Sequence, residues 1–283
     1  MTYQYQTSNS FLVVKPLDKH AALVAEYNLL IKKLKDKSIN IIEFPRIENI
    51  ESTQYLFSNH WISFHGNGVT AVYPMSTLSR QQERSDLVFD VLQENNFDIN
   101  DVIDFTRAEE EGIFLEGLGS VVLDRENNVA YASISKLCDE ELFVEFCEEL
   151  EFTPIVFNSM FSDTSEVAHT SSILSISKDF VMVASGLIQD KKQRKLVALQ
   201  LKKTGRELIY ISEAQVLNHV ADIKQIENSK GNSIIVLSNT VLENLTVVQI
   251  STLEKYGAFL VVDYNQTESF GGRSVGAILN EIF

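Results

Sequence analysis

One carboxylate, one histidine and several short polar segments interrupt stretches that otherwise carry strand-forming residues. Glu116 lies in the segment 115–120, and His169 lies in the segment 168–171. A carboxylate and an imidazole that meet in one site can bind a cation and move protons between bound groups. Three further segments in which polar residues stand among strand formers are 59–61, 218–222 and 271–277.

Each of these residues also has an ordinary structural interpretation. A single histidine in a strand-rich chain is more often a hydrogen-bonded structural residue than a catalyst, and Glu116 could be a turn carboxylate. Trp61 fits a core or channel-wall aromatic. From spacing alone, catalysis by Glu116 with His169 is therefore the minority interpretation. We assign the other histidines to structural roles: His20, His60, His65 and His219.

The elements that must position these segments recur about every fifty residues as a β-hairpin, a helix and a single strand. In the clearest copy, runs 61–65 and 69–73 flank Gly66-Asn67-Gly68, which strongly favours a hairpin. Self-similarity at this period is typical of repeat or propeller architectures. The predicted helices and single strands of the four complete copies are 79–94 and 102–105, 139–150 and 154–157, 192–203 and 207–211, and 241–256 and 258–263.

The two ends of the chain supply a fifth copy. A strand is predicted over 275–283 and another over 11–15, followed by a helix over 19–35 and a strand over 39–44. Joined across the ends, they predict a ring whose polar segments meet at one end of a central channel. A linear doubly wound sheet is the alternative, but it fits the alternation of hairpins and helices poorly. Because no linker composition divides the chain, we expect one domain, 1–283.

Composition limits the classes of function. The chain has 24 Lys and Arg against 39 Asp and Glu, a net charge of −15, which argues against nucleic-acid and anionic-membrane binding. No apolar run is of transmembrane length, and residues 1–10 do not resemble a signal peptide, so we expect a cytoplasmic protein. Cys138 and Cys147 lack the spacing of a metal site or a disulfide framework. We expect no metal and no cofactor.

Four segments of the chain resemble the arginine-deiminase-related citrulline hydrolases. Those proteins belong to the guanidino-group-modifying superfamily, together with arginine deiminases, dimethylarginine hydrolases and amidinotransferases. The resemblance covers nearly the whole chain and implies a five-bladed α/β propeller of ββαβ units, the pentein fold. This agrees with the repeat described above. The segments, in family order, are FSNHWISFHGNGVTAVYPM, LEGLGSVVLDRENNVAYASISKLCDEEL, HTSSILSI and GGRSVGAILNEIF.

The chemistry implied by the resemblance uses a cysteine thiolate that attacks the central carbon of a guanidinium or ureido group. A histidine moves protons, and carboxylates hold the planar fork of N–H donors. Glu116 matches the family's acidic residue and His169 its general acid/base. Asn59 and Trp61 match an Asn-Asn-Trp motif, from which His60 departs.

The remaining positions depart from the family's pattern. Ala277 stands where the nucleophilic cysteine belongs, and Gln54 stands where an aspartate usually holds the substrate. Ser274 could be imagined as a substitute nucleophile, but it comes three residues early and its hydroxyl would need a well-placed base. The other positions that the resemblance assigns to substrate binding carry Ser171, Asp222 and Arg273, and Lys15 replaces an arginine near the first strand.

Two interpretations of function follow. In the first, the chain is a degenerate enzyme that binds or regulates, with a guanidino or ureido compound or a protein as its partner. In the second, it is a hydrolase of arginine- or citrulline-type substrates whose nucleophile has been removed or whose mechanism has changed. A homo-oligomer and a stabilising partner of an active paralogue remain open. Because a buried unpaired carboxylate is costly, we predict that His169, Arg273 or Lys15 lies near Glu116, or that the channel is wet.

Overall fold

The computed structural model of the chain describes residues 9–45 and 52–283 and has an α/β architecture. Segment 1–8, which carries most of the expectation about a signal peptide, lies outside the described residues. In the described ranges, no helix combines the length and the apolar character that crossing a bilayer requires.

The strands of the described residues form five three-stranded sheets. In every sheet the central strand pairs antiparallel with one neighbour and parallel with the other. The strands are β1 (Ser10–Val14), β2 (Asn40–Phe44), β3 (Ile62–His65), β4 (Val69–Val72), β5 (Asp101–Asp104), β6 (Val121–Asp124), β7 (Val129–Ser133), β8 (Thr153–Phe157), β9 (Leu174–Ile176), β10 (Phe180–Val183), β11 (Glu207–Tyr210), β12 (Lys224–Glu227), β13 (Ser233–Ser238), β14 (Ala258–Val262) and β15 (Asn280–Ile282). The sheet orders are β15-β1-β2, β3-β4-β5, β6-β7-β8, β9-β10-β11 and β12-β13-β14.

Helices connect the parallel strand pairs, because two parallel neighbours cannot be joined by a tight turn. Several helices begin at a side chain that accepts a backbone N–H, as Asp139 does from Leu142. The helices are α1 (Ala21–Asp36), α2 (Leu78–Gln81), α3 (Leu87–Glu94), α4 (Gly117–Ser120), α5 (Glu140–Glu149), α6 (Lys191–Lys203), α7 (Glu213–Leu217), α8 (Asn239–Asn244), α9 (Val247–Leu253) and α10 (Asn265–Gly271).

The predicted hairpins and the pairing of the chain's two ends are confirmed. Asn67 adopts a left-handed backbone conformation with φ of 63° in the turn between β3 and β4, as an Asn-Gly hairpin requires. At the ends of the chain, β1 pairs antiparallel with β15 and parallel with β2. The apolar residues at the C-terminus are therefore buried in a sheet that contains strands from both ends.

Three predicted elements were wrong in extent. The predicted helix 79–94 divides into α2 and α3, and Arg84, in the segment between them, pairs with the partly buried Glu109. The predicted helix 241–256 divides at Leu245, whose backbone is extended, and Thr246 then caps α9. The predicted strand 275–283 is reduced to β15. Its first part is a 3₁₀ turn, Val275–Ala277, held where the backbone N–H of Gly276 donates to the Asp222 carbonyl.

Candidate functional site

Glu116 is buried at the N-terminal end of α4, where the backbone makes a close turn. Gly117 has a φ of +41°, and a Cβ there would lie 2.5 Å from the carbonyl oxygen of Asn59, so only glycine fits. The Ser76 hydroxyl donates to Glu116 Oε1 at 2.6 Å, and the backbone N–H of Ser76 donates at 3.2 Å. The carboxylate is therefore fixed from one side by the segment that follows β4.

His169 approaches the same carboxylate from the segment that precedes β9. Its Nε2 lies 3.3 Å from Glu116 Oε2, and its ring centroid lies 4.8 Å from that of His60. A Cβ on Gly119 would lie 2.7 Å from His60 Nε2 and 2.8 Å from His169 Cδ2, so the two rings pack directly over this glycine. The predicted proximity of His169 to Glu116 is confirmed.

Arg80, which the sequence analysis did not select, is the cation that pairs with Glu116. Its side chain is buried, and its Nη1 donates to Glu116 Oε2 at 2.9 Å and to Gln54 Oε1 at 2.6 Å. Its Nε and Nη2 donate to the two carboxylate oxygens of Glu83 at 3.1 and 3.2 Å. Nη2 also lies 3.2 Å from His60 Nδ1. We call the set Gln54, His60, Glu83 and Glu116 the Arg80 cage.

The environment sets the protonation of this cluster. Burial alone would raise the pKa of the Glu116 carboxyl, but the hydrogen bond from His169, the charge of Arg80 and the Ser76 hydroxyl together lower that pKa to about 2. Burial raises the pKa of Glu83 despite the charge of Arg80. Burial is also the largest cause that lowers the pKa of His169, and it lowers that of His60 well below the usual value.

The bonding of His60 identifies its neutral form. Because a guanidinium can only donate, His60 Nδ1 must accept from Arg80, and the ring proton is then on Nε2. This buried Nε2 has no hydrogen-bond partner among the described residues. One ligand atom each of His60, Glu116 and His169 lie within 4.8 Å of one another, a set that suits a metal ion in principle. In this structure, however, the guanidinium of Arg80 already bonds to two of these residues, Glu116 and His60.

A second group of predicted residues lines a separate pocket. Asn59, Ser171, Asp222, Arg273 and Ala277 are on the wall of a pocket of about 150 Å³, which we call the Arg273 pocket. It is smaller than the roughly 300–1,000 Å³ typical of sites for drug-sized ligands. The rest of its wall comes largely from β6, β9, β12 and β15, the antiparallel outer strands of four different sheets.

Arg273 is held in this pocket by a buried ion pair. Its Nε donates to Asp222 Oδ2 at 2.9 Å, its Nη2 donates to Asp222 Oδ1, and its Nη1 donates to the Ser171 hydroxyl at 3.0 Å. The backbone N–H of Ser274 also donates to Asp222, at 2.9 Å. These contacts use three of the five N–H groups of Arg273, whose side chain is buried.

The position of the expected nucleophile is occupied by a methyl group. Ala277 ends the 3₁₀ turn that precedes β15, and its side chain offers no lone pair. The Ser274 hydroxyl is buried and donates to Glu268 Oε1 at 2.5 Å, so it is already committed to a carboxylate. Both cysteines are buried in the apolar cluster around α5, where burial raises the pKa of each thiol to about 12. None of these groups is an activated nucleophile.

Two predicted residues lie elsewhere. Trp61 is buried in an apolar cluster, with its ring centroid 6.5 Å from that of Phe44, and it is not among the residues on the wall of the Arg273 pocket. Lys15 Nζ lies 3.5 Å from Glu43 Oε2 at the edge of the first sheet. Lys15 and Arg273 therefore have carboxylate partners other than Glu116.

Sequence reasoning missed three members of the site: His60, Arg80 and Glu83. The structure places the ring of His60, which we assigned to a structural role, in contact with both Arg80 and His169. His60 could have been found from its departure from the Asn-Asn-Trp motif. Arg80 and Glu83 follow a helical spacing of three, which normally indicates a solvated surface pair. No local sequence pattern distinguishes such a surface pair from a buried Arg–Glu pair.

Comparisons with known proteins identify the family through a family model and the fold through solved structures. The model of the family described as N,N dimethylarginine dimethylhydrolase, eukaryotic, matches residues 6–283. No curated protein matches the chain.

Among solved structures, apo ArgZ, an arginine dihydrolase from the ornithine–ammonia cycle in cyanobacteria, has a TM-score of 0.75 at 11% identity. That match covers 98% of this chain and 40% of ArgZ, so the chain spans two fifths of that protein. A cysteine-to-alanine variant of AgrE in a binary complex with L-arginine has a TM-score of 0.74 at 14% identity, covering 97% of this chain and 40% of AgrE. A dimethylarginine dimethylaminohydrolase, solved as an adduct with 4-chloro-2-hydroxymethylpyridine, has a TM-score of 0.68 at 11% identity, covering 98% of this chain and 100% of that one.

Proposed function

Because the chain belongs to the eukaryotic N,N dimethylarginine dimethylhydrolase family, within the pentein superfamily of guanidino-modifying enzymes, we propose that it is a catalytically silent member with a binding or regulatory role. Its ligand would be a guanidino or ureido compound or a protein partner. The single observation that carries this proposal is Ala277 on the wall of the Arg273 pocket, at the position that the resemblance assigns to the nucleophile.

The chemistry explains why this substitution matters. A covalent intermediate needs an electron pair on the attacking atom, and the methyl group of Ala277 has none. Losing one member of a nucleophile–base unit typically costs several orders of magnitude in rate. Cys138 and Cys147 cannot replace it, since both thiols are buried, keep raised pKa values and belong to another part of the core.

Other features of the site support the same reading. Gln54 carries an amide where the resemblance expects a carboxylate, and its oxygen accepts from Arg80. Ser171 bonds to Arg273 and to the carbonyl oxygen of Gly119, so it serves the internal network. Binding and chemistry are separable in a related protein, since a cysteine-to-alanine variant of AgrE holds L-arginine. Alanine at position 277 is therefore compatible with a ligand.

The arrangement of the sheets belongs to the same proposal. We infer that the five sheets stand around a common axis as the blades of a propeller, with the blade of β15, β1 and β2 closed by the two ends of the chain. Five sheets of the same topology support this arrangement. The common pocket wall formed by outer strands of four sheets, with Asn59 just before the fifth, supports it as well.

The test is turnover of arginine, citrulline and N,N-dimethylarginine by the wild-type protein, followed as released ammonia, amine or urea. We expect no release above the rate of the buffer. Ala277→Cys is the matched variant, with its fold checked by thermal melting. We expect Ala277→Cys to be folded and inert, because Arg80 still donates to Gln54 and Glu116, the residues that would hold a substrate. Steady turnover by the wild-type protein would overturn the proposal.

A second candidate function is a hydrolase that lacks only its nucleophile. The contact of 3.3 Å between His169 Nε2 and Glu116 Oε2 favours it, because it preserves the acid–base pair implied by the resemblance. This candidate predicts that Ala277→Cys alone restores turnover. If that variant is folded and inert, the second candidate is eliminated.

A further inference from the structure

Arg80 is bound as completely as a guanidinium can be. A guanidinium has five N–H donors in a planar fork. In the Arg80 cage, Nε–H faces Glu83, the two Nη1 protons face Gln54 and Glu116, and the two Nη2 protons face Glu83 and His60. Every donor thus has an acceptor within 3.2 Å. Glu83 is three residues from Arg80, and the other three partners are 20 to 36 residues away.

The same acceptors include the positions expected to hold a substrate. The resemblance assigns Gln54 and Glu116 to the grip on a substrate's N–H donors, and both accept from Nη1 of Arg80. Carboxylates paired with a planar fork of donors recognise guanidinium specifically. The cage therefore has the chemistry of a guanidinium receptor, and its occupant is a side chain of the same protein.

Arg80 enters the cage on a short connection that is itself pinned to the site. The connection, residues 75–84, runs from the end of β4 towards α3, and we call it the strap. Its Met75 N–H donates to Glu109 at 2.7 Å, and its Ser76 hydroxyl donates to Glu116. Thr77 caps α2, the single helical turn that carries Arg80. Because Arg80 belongs to the same chain as the cage and its strap is hydrogen-bonded to Glu116, the internal guanidinium has a high effective concentration at the site.

We infer that the Arg80 cage is a guanidinium-binding site that the chain keeps occupied with its own arginine, so that a guanidino ligand enters only by displacing Arg80. This inference rests on the proposed function, because a silent site can hold a permanent internal occupant. The class of ligand that the cage accepts is alkylguanidinium compounds. A wild-type protein closed in this way binds such compounds weakly, and removal of the Arg80 side chain opens the site.

The experiment replaces the side chain with a free ligand. Arg80→Ala removes the atoms beyond Cβ, and ethylguanidinium supplies the same atoms as a separate molecule. Ethylammonium, which has the charge without the fork, and N-ethylurea, which is planar without the charge, are the matched ligand controls. Arg84→Ala is the matched protein control. Arg84 lies on the same strap and pairs with Glu109, but its site is more exposed and offers three acceptor contacts.

We expect millimolar ethylguanidinium to raise the melting temperature of Arg80→Ala saturably. At a ligand concentration one hundred times the dissociation constant, the ratio of folded to unfolded protein should rise about a hundredfold. The wild-type protein, Arg84→Ala and both control ligands should give much smaller shifts. Equal shifts in Arg80→Ala and in the wild-type protein, or no selectivity over ethylammonium, would overturn the inference.

A second measurement applies if Arg80→Ala does not fold. In ¹⁵N-labelled wild-type protein, five hydrogen bonds should stop rotation of the Arg80 guanidinium, giving separate, slowly exchanging Nη–H signals. The exposed Arg107 serves as the internal comparison and should show averaged, rapidly exchanging signals. Averaged signals for Arg80 as well would overturn the inference. These results are independent of turnover. If the wild-type protein is inert and ethylguanidinium does not selectively stabilise Arg80→Ala, only the inference about the cage is refuted. If the wild-type protein is active, the proposed function is refuted.

Discussion

The two buried arginines of the site, Arg80 and Arg273, are bound in different ways. Arg80 has an acceptor for every N–H group, faces two carboxylates and is enclosed by the cage. Arg273 pairs with one carboxylate, Asp222, and lies on the wall of a pocket. Acceptors from four residues surround one arginine, and the other lies beside an open pocket.

This difference illustrates two ways in which a buried charged site can be neutralised without a bound substrate. A buried carboxylate such as Glu116 keeps its electrostatic cost whether or not a substrate arrives. An internal guanidinium removes that cost permanently, at the expense of access. The Arg273 pocket is open without any displacement of Arg80, so a small ligand could enter it in the wild-type protein.

The largest expected effect comes from removing the enclosed guanidinium. Arg80→Met leaves Glu116 and Glu83 buried without a cation, and breaking a buried pair in this way costs about 3–5 kcal/mol of unfolding free energy. Urea denaturation monitored by circular dichroism measures it. The matched control is Lys35→Ala, which removes the Lys35–Glu43 pair, where the lysine is half exposed; it should cost at most about 1 kcal/mol. Equal losses in the two variants would show that the cage is not a closed environment.

Acid should weaken the enclosed site next. The folded pKa of Glu116, about 2, lies below the ordinary value of 4.5, so its contribution to stability is present above about pH 4.5 and disappears as the pH falls towards 2. This contribution is about 3 kcal/mol. Glu83 has the opposite effect on the pH dependence of stability. Because its pKa is raised in the folded state, its protonation at low pH stabilises the fold.

Subtracting the pH–stability curve of Glu116→Gln from that of the wild type isolates the Glu116 contribution. A difference that stays constant between pH 5 and the lowest accessible pH would contradict the ion pair with Arg80.

Removing the arginine at the pocket should have the smaller effect. Arg273→Met leaves Asp222 with the Ser274 N–H as a partner and with access to water from the pocket, so we expect a loss of about 2 kcal/mol. Denaturation under the same conditions as for Arg80→Met gives a direct comparison. A loss larger than that of Arg80→Met would reverse the distinction between a closed and an open site.

Local patterns predicted the parts of the fold that local chemistry determines. The Gly66-Asn67-Gly68 turn and the alternating hairpins follow from backbone preferences that a few residues express. The division of the predicted helix 79–94 could not be found in this way. Its polar middle has a helical spacing, and contacts with residues distant in sequence, such as Arg80 with Glu116 and Arg84 with Glu109, hold it as a strap.

Some residues of the site could likewise be predicted from local sequence, and others could not. Glu116 and His169 were selected because motif and residue type agree, and the structure brings them into contact. Arg80 was missed because its partners Gln54 and Glu116 lie 26 and 36 residues away in sequence, a relation that the fold alone creates. His60 was missed because a single histidine most often has a structural role. Its ring is part of the cage.

A pH titration of the Glu116 side-chain carboxyl by ¹³C NMR, in the wild-type protein and in Arg80→Met, tests most directly whether Arg80 occupies this site. We expect a pKa of about 2 in the wild type and a clearly higher pKa in the variant, where the carboxylate is still buried but the charge of Arg80 is gone. The same pKa in both proteins would show that Arg80 does not hold Glu116, and it would contradict the account.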